Sequence, residues 1–362
     1  MGASAEPLTE AQQATPEWLT QTLRRAGRLA EGHITAVHER AVVKTGLSVL
    51  TRLELSYSAG VPRSAPERVI LKTHRRDGAA QASKLTEQEV EFYRVIAPQS
   101  PSPPIVRCHD ATFSPARGHG HLLLDDLAET HSHPIWPLPP SVPSCEQAID
   151  SLAMLHARWW DHPELGKGIG TVLDESGVVE MMGGIALQFS RFADFLEDRL
   201  AGERRRVYEA VLSSSLRPWK RIAQRRGLTV VHGDAHLSNF LYPHAPGDAS
   251  VFLIDWQLWH IDVGARDLAF MIALHWYPER RAALELPLLR RYHNRLVAHG
   301  VTGYSWDDCR SDYRLGAIRN LTVPVVQWAG GLPPGQWWHR LECALLAYRD
   351  LECAELLDAC NG

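Results

Sequence analysis

The chain has 362 residues, 45% of them hydrophobic and 22% charged, with a formal net charge of −4 and a pI near 6.5. That is ordinary globular composition, long enough for two lobes with a substantial core. The mild acidity argues against nucleic acid as a partner, and no apolar run is long enough to span a bilayer. Six scattered cysteines (Cys108, Cys145, Cys309, Cys343, Cys353, Cys360) show neither a Cys-x-x-Cys pair nor zinc spacing. They read as reduced thiols of a cytosolic protein. The start Met-Gly-Ala-Ser-Ala-Glu has no basic segment followed by an apolar core, so no signal peptide is expected and the location is cytoplasmic.

Thr15-Pro16 opens a short helix, with Thr15 as cap and Pro16 at the first helical position. Strand-like runs follow at Ile34–Val43, Val49–Tyr57 and Arg68–Lys72; in the second, Leu53, Leu55 and Tyr57 alternate with polar residues. A helix is predicted over Ser83–Ala97, then strands over Ile105–Phe113 and His121–Leu124. Prolines 134, 137, 139, 140 and 143 make a stiff loop. Beyond it the patterns are helical: Cys145–Trp160, Gly183–Leu200, Arg204–Arg226, Ala265–Trp276, Ala282–His299, Trp306–Trp328 and Gly335–Cys360. A β-rich part followed by a helical part is an α+β pattern.

Two short apolar runs interrupt the helical part, each feeding a loop. Val230-Val231 leads into His232-Gly233-Asp234-Ala235-His236-Leu237-Ser238-Asn239, and Val251–Ile254 leads into Asp255-Trp256. Asp234, Asn239 and Asp255 form a set that phosphoryl transfer requires. One carboxylate orients an attacking hydroxyl and takes its proton; an amide oxygen and a second carboxylate hold Mg²⁺ against phosphates. Taken singly, each is an ordinary turn or cap residue. His236 reads as a hydrogen-bonder within the loop, because Mg²⁺ rarely takes imidazole. Lys72 at a strand end can reach phosphates if a glutamate holds it, and Glu87, Glu89 and Glu91 are all on offer. Gly46 and Ser48, in Lys44-Thr45-Gly46-Leu47-Ser48, could bring N–H groups and a hydroxyl to an anion; an ordinary hairpin turn is the plainer alternative. Most of the twelve tryptophans read as core, although Trp337 and Trp338 could wall an acceptor pocket.

The ordered set resembles the aminoglycoside phosphotransferase and choline kinase superfamily, with its His-Gly-Asp-x-x-x-x-Asn loop and later Ile-Asp-Trp. Leu122-Leu123-Leu124-Asp125-Asp126-Leu127, Leu155-His156-Ala157-Arg158-Trp159-Trp160 and Ile254-Asp255-Trp256-Gln257 look like its ecdysteroid-kinase-like subgroup. The resemblance implies a bilobal protein-kinase-like fold: a nucleotide-binding lobe over 1–124, a hinge over 125–130 and a helical lobe over 131–362. It implies Asp234 as catalytic base, Asn239 and Asp255 as Mg²⁺ ligands, and Lys72 on the phosphates. The family-like Glu-x-x-Phe-Tyr selects Glu89 as the partner of Lys72. Gly46 and Ser48 fall where a phosphate loop belongs, and the Asp125 carbonyl and Leu127 amide would meet the adenine edge. Asp267 would brace the catalytic loop. The implied activity is ATP- or GTP-dependent phosphorylation of a small-molecule hydroxyl. A silent nucleotide binder is the first rival. A protein kinase is the second, disfavoured because His-Arg-Asp, Asp-Phe-Gly and Ala-Pro-Glu are missing.

Overall fold

The structure, a computed structural model, describes residues 6–62, 64–74, 80–101, 104–135, 138–214, 219–245 and 250–358. Cys360, Pro137, the Met-Gly start and the end of the helix expected to reach Cys360 lie outside them. The chain divides into two compact units, the first made of Met1–Pro134 with Phe240–Trp259 and the second of Ile135–Asn239 with His260–Gly362.

In the first unit helix α1 (Pro16–Arg25) begins as expected, with Thr15 Oγ1 accepting the Trp18 N–H at 3.2 Å. Strands β1 (Ile34–Lys44), β2 (Ser48–Tyr57), β3 (Arg68–His74), β4 (Cys108–Ser114) and β5 (His119–Asp125) form an antiparallel sheet in the order β1-β2-β3-β5-β4. The alternation seen in β2 puts Leu53 and Leu55 into a core with Val69, Leu71 and Leu123, closed by Leu19, Leu23 and Leu29. Between β3 and β4 runs helix α2 (Ala80–Glu91), extended by a π-helical turn, Phe92–Ile96, and a 3₁₀ turn, Ala97–Gln99. The strand expected from Ile105 begins only at Cys108. The Leu253 N–H donates to the Pro104 carbonyl at 2.8 Å and Ile105 bridges Leu253, so this backbone pairs with the later segment. That segment adds a small three-stranded sheet of His131–Ser132, Phe240–Pro243 and Phe252–Leu253.

The second unit is mostly helical: α3 (Val142–Trp159), α4 (Glu175–Leu196), α5 (Gly202–Ser213), α6 (Lys220–Ala223), α7 (Ala265–Leu268), α8 (Pro278–Ala298), α9 (Trp306–Asn320), α10 (Thr322–Ala329), α11 (Pro334–Asp350) and α12 (Ala354–Asp358). Its one regular ladder among the described residues pairs Leu228–Val231 with His260–Val263, antiparallel. Several helices differ from expectation. Pro143 belongs to the first turn of α3, capped by Ser141, a place that needs no N–H donor. Within the run expected over Arg204–Arg226, α5 ends at Ser213 and α6 takes Lys220–Ala223; residues 215–218 between them lie outside the described residues. The Ala265–Trp276 helix switches after α7 to a π-helical turn, Ala269–Ala273; Asn320 Nδ2 donates to the Ala269 carbonyl at 2.8 Å there. Trp306–Trp328 breaks at Leu321 into α9 and α10.

Trp337 is 2% exposed, and its indole N–H donates to the Leu332 carbonyl at 3.0 Å. With Phe192 and Phe195 it makes edge-to-face contacts, so it belongs to the core rather than to a pocket wall. Arg319 Nη1 donates to Asp262 Oδ1 at 2.9 Å, a buried ion pair that ties α9 to the ladder. The five described cysteines are free thiols. Among the described residues no helix is long and apolar enough to cross a membrane.

Candidate functional site

In the first unit the chemistry gathers at Lys72. The alternation of β3 turns Lys72 and His74 to one face. Lys72 Nζ donates to Glu89 Oε1 at 2.7 Å and to Asp255 Oδ1 at 2.8 Å. Of the three glutamates on α2, it is therefore Glu89 that pairs with the lysine. Lys72 and Glu89 are 7% and 1% exposed. Burial alone would pull the Lys72 ammonium down; the Glu89 and Asp255 carboxylates outweigh it and raise the group above its ordinary value. His74 Nε2 lies 3.4 Å from Glu89 Oε2, the second carboxylate oxygen.

Two contacts fix the Asp255 loop to α2. Phe92 stacks on Trp256 with centroids 3.9 Å apart and planes at 7°. The Trp259 indole N–H donates to the Gln88 carbonyl at 2.7 Å, and the Gln88 amide donates back to the Trp259 carbonyl. Asp255 has φ +68°, a left-handed conformation that Asp tolerates better than most residues. Gln257 Nε2 donates to its Oδ2 at 3.1 Å.

Elsewhere in this unit, Gly46 is exposed in the β1–β2 turn with open space at its Cβ position. Ser48 is buried, and its N–H is taken by Thr45 Oγ1 at 3.0 Å. At the end of β5, His109 Nε2 meets Asp125 Oδ1 at 2.7 Å. The Leu127 carbonyl accepts from Thr130 and His131 N–H.

In the second unit the ladder strand Leu228–Val231 delivers the chain to Asp234. Asp234 is partly exposed; its backbone N–H donates to His232 Nδ1 at 3.3 Å. Asn239 closes the loop through Nδ2, which donates to the Asp234 carbonyl at 2.9 Å and reaches Oδ2 at 3.3 Å. Its donor end is thereby spent inside the loop, and its amide oxygen is the end left for a cation.

The loop rests on a buried chain of polar groups. Asp267 accepts the His232 N–H at 2.6 Å and the Gly233 N–H at 3.0 Å. His156 Nε2 lies 3.3 Å from Asp267 Oδ2, and His156 Nδ1 meets Tyr292 Oη at 2.8 Å. All of Asp267, His156 and Tyr292 are fully buried. Burial would raise the Asp267 carboxyl; the His156 contact and the backbone donors override that and hold it below its usual value. Gly264 makes the packing possible, since a Cβ there would sit 2.1 Å from Tyr292 Oη.

Sequence reasoning passed over His74, although Lys72-x-His74 on one strand was a signal. It also passed over Gln88 and His275, which only tertiary contacts bring into view.

An antiparallel sheet followed by a largely helical region defines a protein of kinase-like fold. The chain belongs to the phosphotransferase enzyme family, whose model matches residues 57–306. Among solved structures, a choline kinase from Cryptosporidium parvum superposes with a TM-score of 0.50 at 10% identity, over 89% of this chain and 90% of that one. A choline/ethanolamine kinase family protein from Mesorhizobium loti gives 0.46 at 13% identity, over 90% and 92%. A spectinomycin phosphotransferase, in complex with ADP and spectinomycin, gives 0.46 at 14%, over 98% and 99%. No curated protein matches the sequence.

Proposed function

We propose that this phosphotransferase moves the γ-phosphoryl group of ATP or GTP onto a hydroxyl of a small molecule. The observation that carries the reading is a buried Lys72 held between Glu89 and Asp255. A lysine so fixed can hold nucleotide phosphates, and Asp255 beside it is placed to share a metal with them. Asp234 takes the proton as the acceptor oxygen bonds to the γ-phosphorus and the bond to the bridging oxygen breaks, leaving the nucleoside diphosphate. Asn239 holds the Asp234 loop and offers its amide oxygen. The reading assigns the hard oxygens of Asn239 and Asp255 to Mg²⁺, a cation that keeps waters and phosphates as its other ligands. Mg²⁺, when bound, neutralises charge on the phosphates.

The same reading assigns nucleotide binding to 1–124, with Gly46 and Ser48 toward the phosphates; the buried Ser48 contributes through its hydroxyl, because its N–H is already used. It assigns the adenine edge to the Asp125 carbonyl and Leu127 amide within a hinge over 125–130, and the acceptor to 131–362. Within the family, the motifs at Leu122–Leu127, Leu155–Trp160 and Ile254–Gln257 support placement near the ecdysteroid-kinase-like subgroup.

Titrating Mg²⁺ against bound nucleotide tests the metal set. Asp255→Ala should weaken metal-dependent nucleotide binding, and Asn239→Ala should do so more mildly, since it removes a neutral ligand. An unchanged metal requirement in both variants removes the ligand assignment. Lys72→Ala should lower turnover, with Glu89→Ala mimicking it; the double variant should cost less than the sum, because the two side chains act as a pair. Additive losses, or equal loss in Glu87→Ala, count against that pairing.

A further inference from the structure

Lys72 is anchored by a glutamate whose second oxygen has a neighbour of its own. Lys72 Nζ donates to Glu89 Oε1, while Oε2 of the same carboxylate faces His74 Nε2 at 3.4 Å. Both atoms are buried, and among the described residues neither has a hydrogen-bond partner. His74 Nδ1 lies 3.1 Å from the Gly120 carbonyl oxygen. A carbonyl oxygen only accepts, so Nδ1 carries a proton. In a neutral ring Nε2 would then hold a lone pair, aimed at the lone pairs of a carboxylate. That arrangement is repulsive and leaves two buried polar atoms uncompleted. A second proton on the ring, at Nε2, turns the contact into an ion pair.

Charge balance favours the same state. Lys72 stands as one cation against the Glu89 and Asp255 carboxylates, and an imidazolium at His74 balances the second of them. Among the described residues the other titratable groups facing Glu89 are Tyr93, in the π-helical turn after α2, and Cys108 on β4. Burial first, and then the Glu89 charge, raises the Tyr93 phenol; burial first, and then the Asp110 charge, raises the Cys108 thiol. Both stay protonated and neutral. Ser48 of β2 pairs with His74 and brings no charge, nor does Gly120. Gly120 also seats α2 on the sheet, since a Cβ there would lie 2.6 Å from the Thr112 carbonyl oxygen and 3.2 Å from Thr86 Cγ2. Thr86 and Glu89 share a face of α2, so the same close approach brings Glu89 to both β3 side chains.

We propose that His74 is a positioning residue for the Lys72–Glu89 pair: its imidazolium holds the second oxygen of Glu89, and Glu89 so held sets Lys72 in place for nucleotide phosphates. This rests on the reading of Lys72 as the phosphate-binding lysine. His74 acts through Glu89 alone and touches neither the nucleotide nor the acceptor. Its proton makes the grip on nucleotide depend on pH. The grip is full while both ring nitrogens are protonated, and it weakens as rising pH removes the proton from Nε2.

The test uses the full-length protein and Mg·ATP binding read by calorimetry, with the native chain, His74→Gln and His74→Leu compared from about pH 5 to about pH 8. Gln offers an N–H at every pH and does not titrate; Leu offers none. His74→Leu should weaken Mg·ATP binding about tenfold at the acid end, the scale of a polar contact to a charged group, and His74→Gln should recover part of that. The ratio of native affinity to His74→Gln affinity should fall as pH rises. Titration of ATP itself is common to both proteins and drops out of the ratio. Thermal unfolding checks that both variants fold. Nitrogen-15 spectra of histidine-labelled native protein read the ring directly, the His74 signals being those lost in His74→Gln. Both nitrogens should be protonated at the acid end, and in Glu89→Gln the second proton should leave at lower pH. An unprotonated Nε2 at the acid end overturns the inference, and so does an affinity ratio constant in pH. His74→Leu binding as the native chain does, where Lys72→Ala binds weakly, also overturns it; in these cases the reading of Lys72 stands. Native protein without affinity for Mg·ATP, or Lys72→Ala binding as well as native, defeats the reading of Lys72 and this inference with it.

Discussion

Asp234→Ala is expected to reduce phosphoryl transfer by about 10²–10⁴-fold, the range for losing a positioned general base, while nucleotide affinity stays near that of the native protein. The separation follows from what the side chain touches. Asp234 contacts Asn239 and His236 within its own loop, and the lysine assigned to the phosphates is held by Glu89 and Asp255. Asp234→Asn is the sharper companion, because it keeps the size of the side chain and removes most of its basicity. Single-turnover transfer beside calorimetric nucleotide binding reads both quantities. A near-native rate in either variant would show that another group takes the proton.

Asp267→Ala should produce the largest loss of stability, about 3–5 kcal/mol, the cost of breaking a buried charged contact by removing one partner. The His232 and Gly233 N–H groups lose their acceptor and His156 loses its carboxylate, all in a place without water access. Turnover should fall with stability, since these N–H groups set the path of the chain into Asp234. Denaturant unfolding with the assay repeated well below the melting temperature separates the two losses. A pH series adds a signature. The folded-state value of Asp267 is depressed, so its contribution is fully present above the unfolded carboxylate value near 3.9 and is lost as pH falls through the lower folded value. The variant should therefore lack that part of the native protein's acid sensitivity. An Asp267→Ala protein as stable as the native one would mean that the loop holds its shape by other contacts.

The sheet strands were legible because β2 alternates and because its turns are punctuated by Gly and Pro. The two site loops were legible because short apolar runs lead straight into Asp234 and Asp255. Lys72 read as the end of a strand that in fact runs on to His74, yet its reach to an acidic helix could be anticipated. The choice among Glu87, Glu89 and Glu91 could not be made from residue type, since all three sit on one helix. The family-like Glu-x-x-Phe-Tyr pattern picked Glu89, and Lys72 Nζ lies 2.7 Å from its Oε1. Helix ends were misjudged where a tertiary partner decides them: the π-helical turn at Ala269–Ala273 meets Asn320 from α9, some fifty residues later. Trp337 looked available to a ligand because of the Gly-Gly and Pro-Pro pairs before it, yet Phe192 and Phe195 from α4 enclose it.

The Phe92–Trp256 stack and the paired Gln88–Trp259 hydrogen bonds have a mechanical meaning. Together they resist any drift of the Glu89-bearing helix away from Asp255. Here such drift would tear a face-to-face ring pair and strand two backbone carbonyls, so glutamate and aspartate travel together or not at all.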